Sequence, residues 1–259
     1  MTKSNQYFAS THWTLIWKAA KEDAHQSQPA LEELIRCYWP PLYSFARQRG
    51  LSREDAEDAT QEFLSGLVRG EVLHSADPAK GKFRSFLLVA WRRFLIDEYR
   101  RRQTQRRGGN VKLLSVDFGT SEKQWLEIHS RDSNPDRLFN LFWAKSLLDE
   151  VRRRLKEIYD RRDRGPLFDE LLPRVTETLT QTQYVDLAER LSLSPSAVKV
   201  AMHRLRQRFG QTLREVVLET LDDESEIDAE LSELRSVLAG AAGAFDDLSA
   251  AQSRKHDSN

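Results

Sequence analysis

From Ser194 to Arg214 the chain carries no acidic residue, and its apolar positions recur at the period of a helix. At about 100° per residue, Val198, Ala201, Met202, Leu205 and Phe209 share one face. Ser196, Lys199, Val200, His203, Arg206 and Gln207 share the opposite face, flanked by Arg204 and Arg208. Ser194 suits an N-cap. Pro195 suits the first helical position, where a missing N–H removes no intrahelical bond. A shorter apolar run from Gln183 to Ser192 precedes this helix, with Ala188 small enough for a close crossing. The pair predicts a helix-turn-helix over 183–210 whose second helix enters a major groove. Arginine can pair two-pronged with guanine, and Lys and Arg also hold phosphates. The alternative is a solvated basic helix in an ordinary bundle. The cap, the short turn and the Leu-Ala-Glu-Arg-Leu pattern weigh against it. Ser192 stands where such turns usually carry glycine.

The formal net charge of zero hides a segregated distribution. Residues 80–110 hold ten Lys/Arg and two acids, a balance of +8, whereas residues 222–259 hold ten acids and three Lys/Arg, a balance of −7. One stretch should attract a polyanion and the other repel it. The acidic stretch is expected to hold one weak helix near 227–238, and to lie across a basic face and mask it.

Elsewhere the pattern is helical, with no alternating run long enough for a sheet. A run from Leu31 meets Pro40-Pro41, which should end or kink it, and a second helix covers Leu42 to Gln48. Gly50 ends that helix, and Ser52 caps another that reaches about Val68. Residues 70–82 read as a loop, and a long helix follows from Phe83 to about Gln105. Helices resume at 138–162 and 167–179. The expected fold is all-α: an N-terminal extension (1–30), a first helical domain (31–108), a linker (109–137), a second helical domain (138–221) and an acidic tail (222–259). The single cysteine, Cys37, sits among apolar residues and suits core packing in a reducing, cytoplasmic setting. No apolar run reaches the roughly 20 residues of a membrane span, and no signal peptide is seen.

On the helix capped by Ser52, Asp55, Asp58 and Glu62 lie within about 60° of one another, apart from an apolar face of Ala56, Ala59, Phe63 and Leu67. The carboxylates alone leave three roles open: a solvated face, a docking surface for a basic partner, or a catalytic or metal site. No histidine lies nearby to complete a transition-metal site. The next helix interleaves Phe83, Phe86, Trp91, Phe94 and Tyr99 with arginines, a composition suited to single-stranded or melted DNA. Phe83, Leu87, Trp91 and Phe94 fall on one stripe and read as core. Arg93, Arg100 and Arg101 read as phosphate contacts.

These pieces, in this order, resemble a sigma-70 superfamily RNA polymerase sigma factor of the extracytoplasmic-function type. Asp55-Ala-Glu-Asp58-Ala-Thr-Gln61-Glu62-Phe63 is similar to the family's Asp-x-x-Asp-hydrophobic-x-Gln-Glu-x-Phe signature in region two. The resemblance implies that Asp55, Asp58, Gln61 and Glu62 dock on the polymerase's largest subunit. It also implies that Lys80, Lys82, Arg84, Arg93, Arg100 and Arg101 serve minus-ten recognition and melting. The helix-turn-helix resembles region four, and implies minus-35 contacts by Ser196, Lys199, Val200, His203, Arg204, Arg206 and Gln207. Thr11-His-Trp13, the run Tyr38-Trp-Pro-Pro-Leu-Tyr43, Arg107-Gly-Gly109 and Ser196-Ala-Val-Lys-Val-Ala-Met-His-Arg-Leu-Arg206 are similar to a planctomycete-like subgroup. Many family members carry Asn where Arg93 stands, and residues 165–182 replace the usual Leu-Pro-x-x-x-Arg stretch.

The expected partners are RNA polymerase core enzyme and promoter DNA. An anti-sigma factor is left open, and no membrane, cofactor, metal or catalytic residue is implied. Two other classes remain in view: a stand-alone helix-turn-helix regulator, and a sigma-like interaction protein without initiation activity. An enzyme is disfavoured, because no nucleophile–base or metal-ligand arrangement emerges.

Overall fold

The computed structural model describes residues 28–72, 82–104, 134–221 and 223–240. Among them every regular element is helical: α1 (Gln28–Gln48), α2 (Arg53–Val68), α3 (Phe83–Thr104), α4 (Pro135–Asp160), α5 (Gly165–Leu171), α6 (Gln181–Leu191) and α7 (Pro195–Leu218). A last helix, α8, spans residues 227–240 after a single 3-10 turn. Among the described residues the fold is all-α, as the patterning implied. No helix among the described residues is long and apolar enough to cross a membrane.

The chain divides into two compact units. One comprises residues up to Ser146 together with Val217 onward; the other is Leu147–Val216. Residue 138 lies inside α4, and α8 groups with the first unit.

In the first unit, α1 is continuous through Pro40 and Pro41. Each proline lacks a helical N–H, a penalty of about 3 kcal/mol in an isolated helix. Burial decides the outcome. Tyr38, Trp39, Leu42, Tyr43, Phe45 and Ala46 are all buried, and burying such side chains is worth roughly 1.5–3 kcal/mol apiece. The predicted break between two helices is thus replaced by one helix whose tertiary packing outweighs its local defect.

Helix α2 begins where Ser52 caps it, its hydroxyl accepting from the Asp55 N–H at 3.1 Å. Its face of Ala56, Ala59, Phe63 and Leu67 is buried, and α3 contributes Phe83, Leu87 and Trp91. Phe63 sits 4.9 Å from the Trp91 ring, which stacks on Phe94 at 5.5 Å. The Trp91 indole N–H donates to the Leu42 carbonyl at 3.1 Å, so its one polar atom is satisfied inside the core. Cys37 is buried and is not in a disulfide.

The second unit is built from the C-terminal part of α4, then α5, α6 and most of α7. Val151, Leu155, Phe168, Leu187, Val198, Met202 and Leu205 form its core. The helix expected over 167–179 is much shorter. It ends at Leu171, passes through a 3-10 turn at Leu172–Arg174 and then leaves helical structure. Pro173 has no N–H with which to continue an α-helix, which accounts for the early stop.

Candidate polymerase and nucleic-acid interfaces

The acidic set on α2 lies on the side of the helix away from its core. Asp58 is exposed, whereas Asp55, Gln61 and Glu62 are half-buried. Asp55 accepts a hydrogen bond from the Ser52 hydroxyl at 2.7 Å, so it also closes the first turn of its own helix. Glu62 accepts from Arg101 of α3 through both oxygens, at 2.9 and 3.1 Å. Arg101 also meets Glu98, and the hydrogen bond and charge of Glu62 lead the effects that hold its guanidinium above the ordinary arginine pKa. The proposed docking face and the proposed phosphate contact therefore touch one another. Both partners are more than two-fifths exposed, and such surface pairs contribute about 0–1 kcal/mol. A phosphate can displace this pairing at little cost.

The basic set of α3 splits into two groups. Arg93, Arg100 and Arg101 are exposed, with Arg100 3.9 Å from Asp97. Tyr99 and Ile96 are also exposed on this helix. Lys80 lies outside the described residues. Lys82 and Arg84 behave differently, because both meet carboxylates of the same chain. Only 5% of Arg84 is exposed. Its guanidinium lies 4.3 Å from the centre of the Trp143 ring and donates to Asn140 Oδ1 at 2.9 Å. It pairs with Glu230 at 3.1 Å and with Glu233 at 2.7 Å. Lys82 meets the same two carboxylates, Glu233 at 3.2 Å and Glu230 more closely. Glu230 and Glu233 come from α8, in the acidic tail.

Burial favours the neutral forms of these groups, but the opposite charges outweigh it. The pKa of Lys82 lies above the ordinary lysine value, and that of Glu233 below the ordinary carboxylate value. The residues that sequence reasoning missed here are Glu230, Glu233, Asn140 and Trp143. The −7 balance of the tail was a signal of charge, not of address.

Helices α6 and α7, joined by a short turn, stand where the helix-turn-helix was expected. Thr180 and Gln183 make a reciprocal capping box on α6. Ser192 ends α6 in the left-handed conformation (φ 53°, ψ 41°), with the Leu193 N–H bonded to the Ala188 carbonyl at 2.9 Å. Serine thus occupies the backbone region that glycine usually fills in this turn. Ser194 caps α7 by accepting from the Ala197 N–H at 3.2 Å.

Ser196, Lys199, Val200, His203, Arg204, Arg206 and Gln207 are all exposed. Two of them carry structural duties as well. Lys199 donates to Gln181 Oε1 at 2.7 Å and lies 5.3 Å from the Tyr184 ring centre. Arg206 donates to the carbonyls of Val175, at 3.0 Å, and Glu177. It ties down the segment leading into α6. Ser196, Val200 and Arg204 also border an open cleft with Leu191, Leu193 and Arg164. A helix with its apolar face buried and its acid-free face open can enter a groove and meet base edges and phosphates.

Residues 34–105, most of α1 together with α2 and α3, match the sigma-70 region 2 family. No curated protein and no solved structure matches the chain.

Proposed function

We propose that the chain is a cytoplasmic sigma factor of the extracytoplasmic-function type, in the planctomycete-like subgroup, that directs RNA polymerase core enzyme to promoters and aids their opening. The observation that carries this reading is the order of surfaces along one chain: the acidic face of α2 inside the region 2 match, the basic aromatic α3, then a helix-turn-helix with an exposed acid-free face. Asp55, Asp58, Gln61 and Glu62 hold the polymerase. Arg93, Arg100 and Arg101 contact the phosphates of the opened strand, while exposed Tyr99 offers a ring on which a base can stack. Ser196, Lys199, Val200, His203, Arg204, Arg206 and Gln207 read the upstream duplex. No covalent step is required, because binding energy alone positions the polymerase.

Run-off transcription with core polymerase on genomic fragments tests the reading. The wild-type chain is expected to start transcripts at discrete sites, and Asp58→Arg to abolish them without unfolding the protein. Full transcription by Asp58→Arg removes α2 as the docking surface. DNA binding that never depends on core polymerase, at a palindromic site and by a dimer, points instead to a stand-alone regulator.

A further inference from the structure

The contact between α8 and the start of α3 joins groups 148 residues apart in the chain. Helix α8 docks through Ile227 and Leu234, which are 4% and 1% exposed. Glu230 lies on the same stripe at helical spacing and is 1% exposed. An acid in the middle of a buried apolar stripe is unfavourable unless cations meet it. Here the cations are Lys82 and Arg84, and the two carboxylates balance the two positive charges.

The site is not fully matched to its occupant. The Arg84 Nε has no hydrogen-bond partner, although the guanidinium is buried. Glu233 and Lys82 sit at the rim, with side chains 42% and 24% exposed. The carboxylates therefore cover a cationic pair without saturating its donors, and the rim is open to a competing anion.

We infer that Lys82 and Arg84 form a phosphate-binding site for the opened DNA strand, and that α8 occupies it as an intramolecular competitor through Glu230 and Glu233. Helix and nucleic acid are mutually exclusive there, because both place oxygen anions on the same guanidinium and ammonium. Among the described cations of α3, the chain alone thus binds single-stranded DNA through Arg93, Arg100 and Arg101. When α8 leaves, two further cations join them. The inference rests on the proposed function, and it deepens that function by naming the device that limits it.

Binding of a short single-stranded DNA of random sequence, measured across a salt series, tests this in the full chain. Three variants are compared with wild type: Glu233→Gln, Glu230→Gln/Glu233→Gln, and Glu226→Gln. Glu226 is exposed in the same acidic segment and serves as the charge-matched control. Neutralising the clamp leaves Arg84 without its counter-charges and drives α8 off. The double variant is expected to bind several-fold tighter at low salt, with a plot of log affinity against log salt steeper by about 0.7 for each phosphate gained. Glu233→Gln should move part of the way, and Glu226→Gln should match wild type in slope.

Unchanged slopes in both clamp variants overturn the inference while leaving polymerase-dependent transcription untouched. If the double variant unfolds, Glu233→Gln alone decides the question, since Glu233 sits at the rim. If Glu226→Gln gains as much as the clamp variants, general charge repulsion replaces competition for a site. If no form binds DNA and none supports run-off transcription, the proposed function falls and the inference with it.

Discussion

Arg101 of α3 grips Glu62 of α2 through both carboxylate oxygens, at 2.9 and 3.1 Å. Of the four residues assigned to polymerase docking, Glu62 is thereby tied to a residue assigned to DNA. Being more than two-fifths exposed on both sides, the pair contributes little to folding: Glu62→Gln is expected to shift unfolding free energy by less than about 1 kcal/mol in a urea titration. Its effect should lie in function. Glu62→Gln removes one of the two carboxylate charges that Arg101 meets, leaving Glu98, and is expected to raise affinity for single-stranded DNA. A loss of several kcal/mol in the titration would show the pair to be a structural anchor instead.

Ser192 occupies left-handed backbone space, with φ 53°. A non-glycine residue there costs roughly 1–2 kcal/mol, partly offset by the lower backbone entropy it carries in the unfolded chain. Ser192→Gly should therefore stabilise the second unit by about 0.5–1 kcal/mol, seen as a higher denaturant midpoint at constant slope. Ser192→Val should do the reverse. A destabilised glycine variant would mean that the serine hydroxyl matters more than its backbone.

Arg206 and Lys199 are expected to separate in their consequences. Lys199→Ala should weaken duplex binding similarly across sequences and lower the salt slope by about 1, if it holds one phosphate. Arg206→Ala should also cost about 1 kcal/mol of stability, because two backbone carbonyls lose their donor. Arg206→Lys cannot restore that fork, since an ammonium offers a point charge rather than a planar pair of donors. Equal stability of the two Arg206 variants and wild type would assign the residue to DNA alone.

The clamp at α8 carries a signed pH dependence. Glu233 titrates below its ordinary value, so its contribution is present above about pH 4.3 and is lost as pH falls through the depressed folded value. Lys82 titrates above its ordinary value, so its contribution is complete below about pH 10.4 and fades only as pH rises through its raised one. The contact should hold throughout the neutral range and release in acid, with hydrogen exchange over residues 227–240 rising before that of α2. Uniform exchange of the two helices down to acid pH would contradict it.

What could be read from the chain followed the range of the forces involved. Helices α6 and α7 were legible because caps, period and turn chemistry all lie within a few residues of one another; Ser194, Pro195 and Val198 act locally. The same locality explains the misreading at Pro40-Pro41. The defect is local, but the burial of Tyr38, Trp39 and Tyr43 that outweighs it comes from other helices. At 167–179 the pattern favoured helix, and Pro173 cut it short. Arg84 was read as a surface cation because an arginine amid aromatics looks the same whether it faces water or Glu230. Composition announced an acid-rich tail opposite a base-rich helix, but no periodicity states which carboxylate meets which guanidinium.

The first unit is discontinuous in the chain, and that sets an order of events during synthesis. Lys82 is translated 148 residues before Glu230, and Arg84 follows Lys82 after one intervening residue. At roughly 5–20 residues per second, the growing polypeptide spends on the order of ten seconds with both cations uncovered. A nascent chain on the ribosome, or one shortened by proteolysis within α8, therefore presents to nearby RNA an electropositive patch that the finished protein keeps covered.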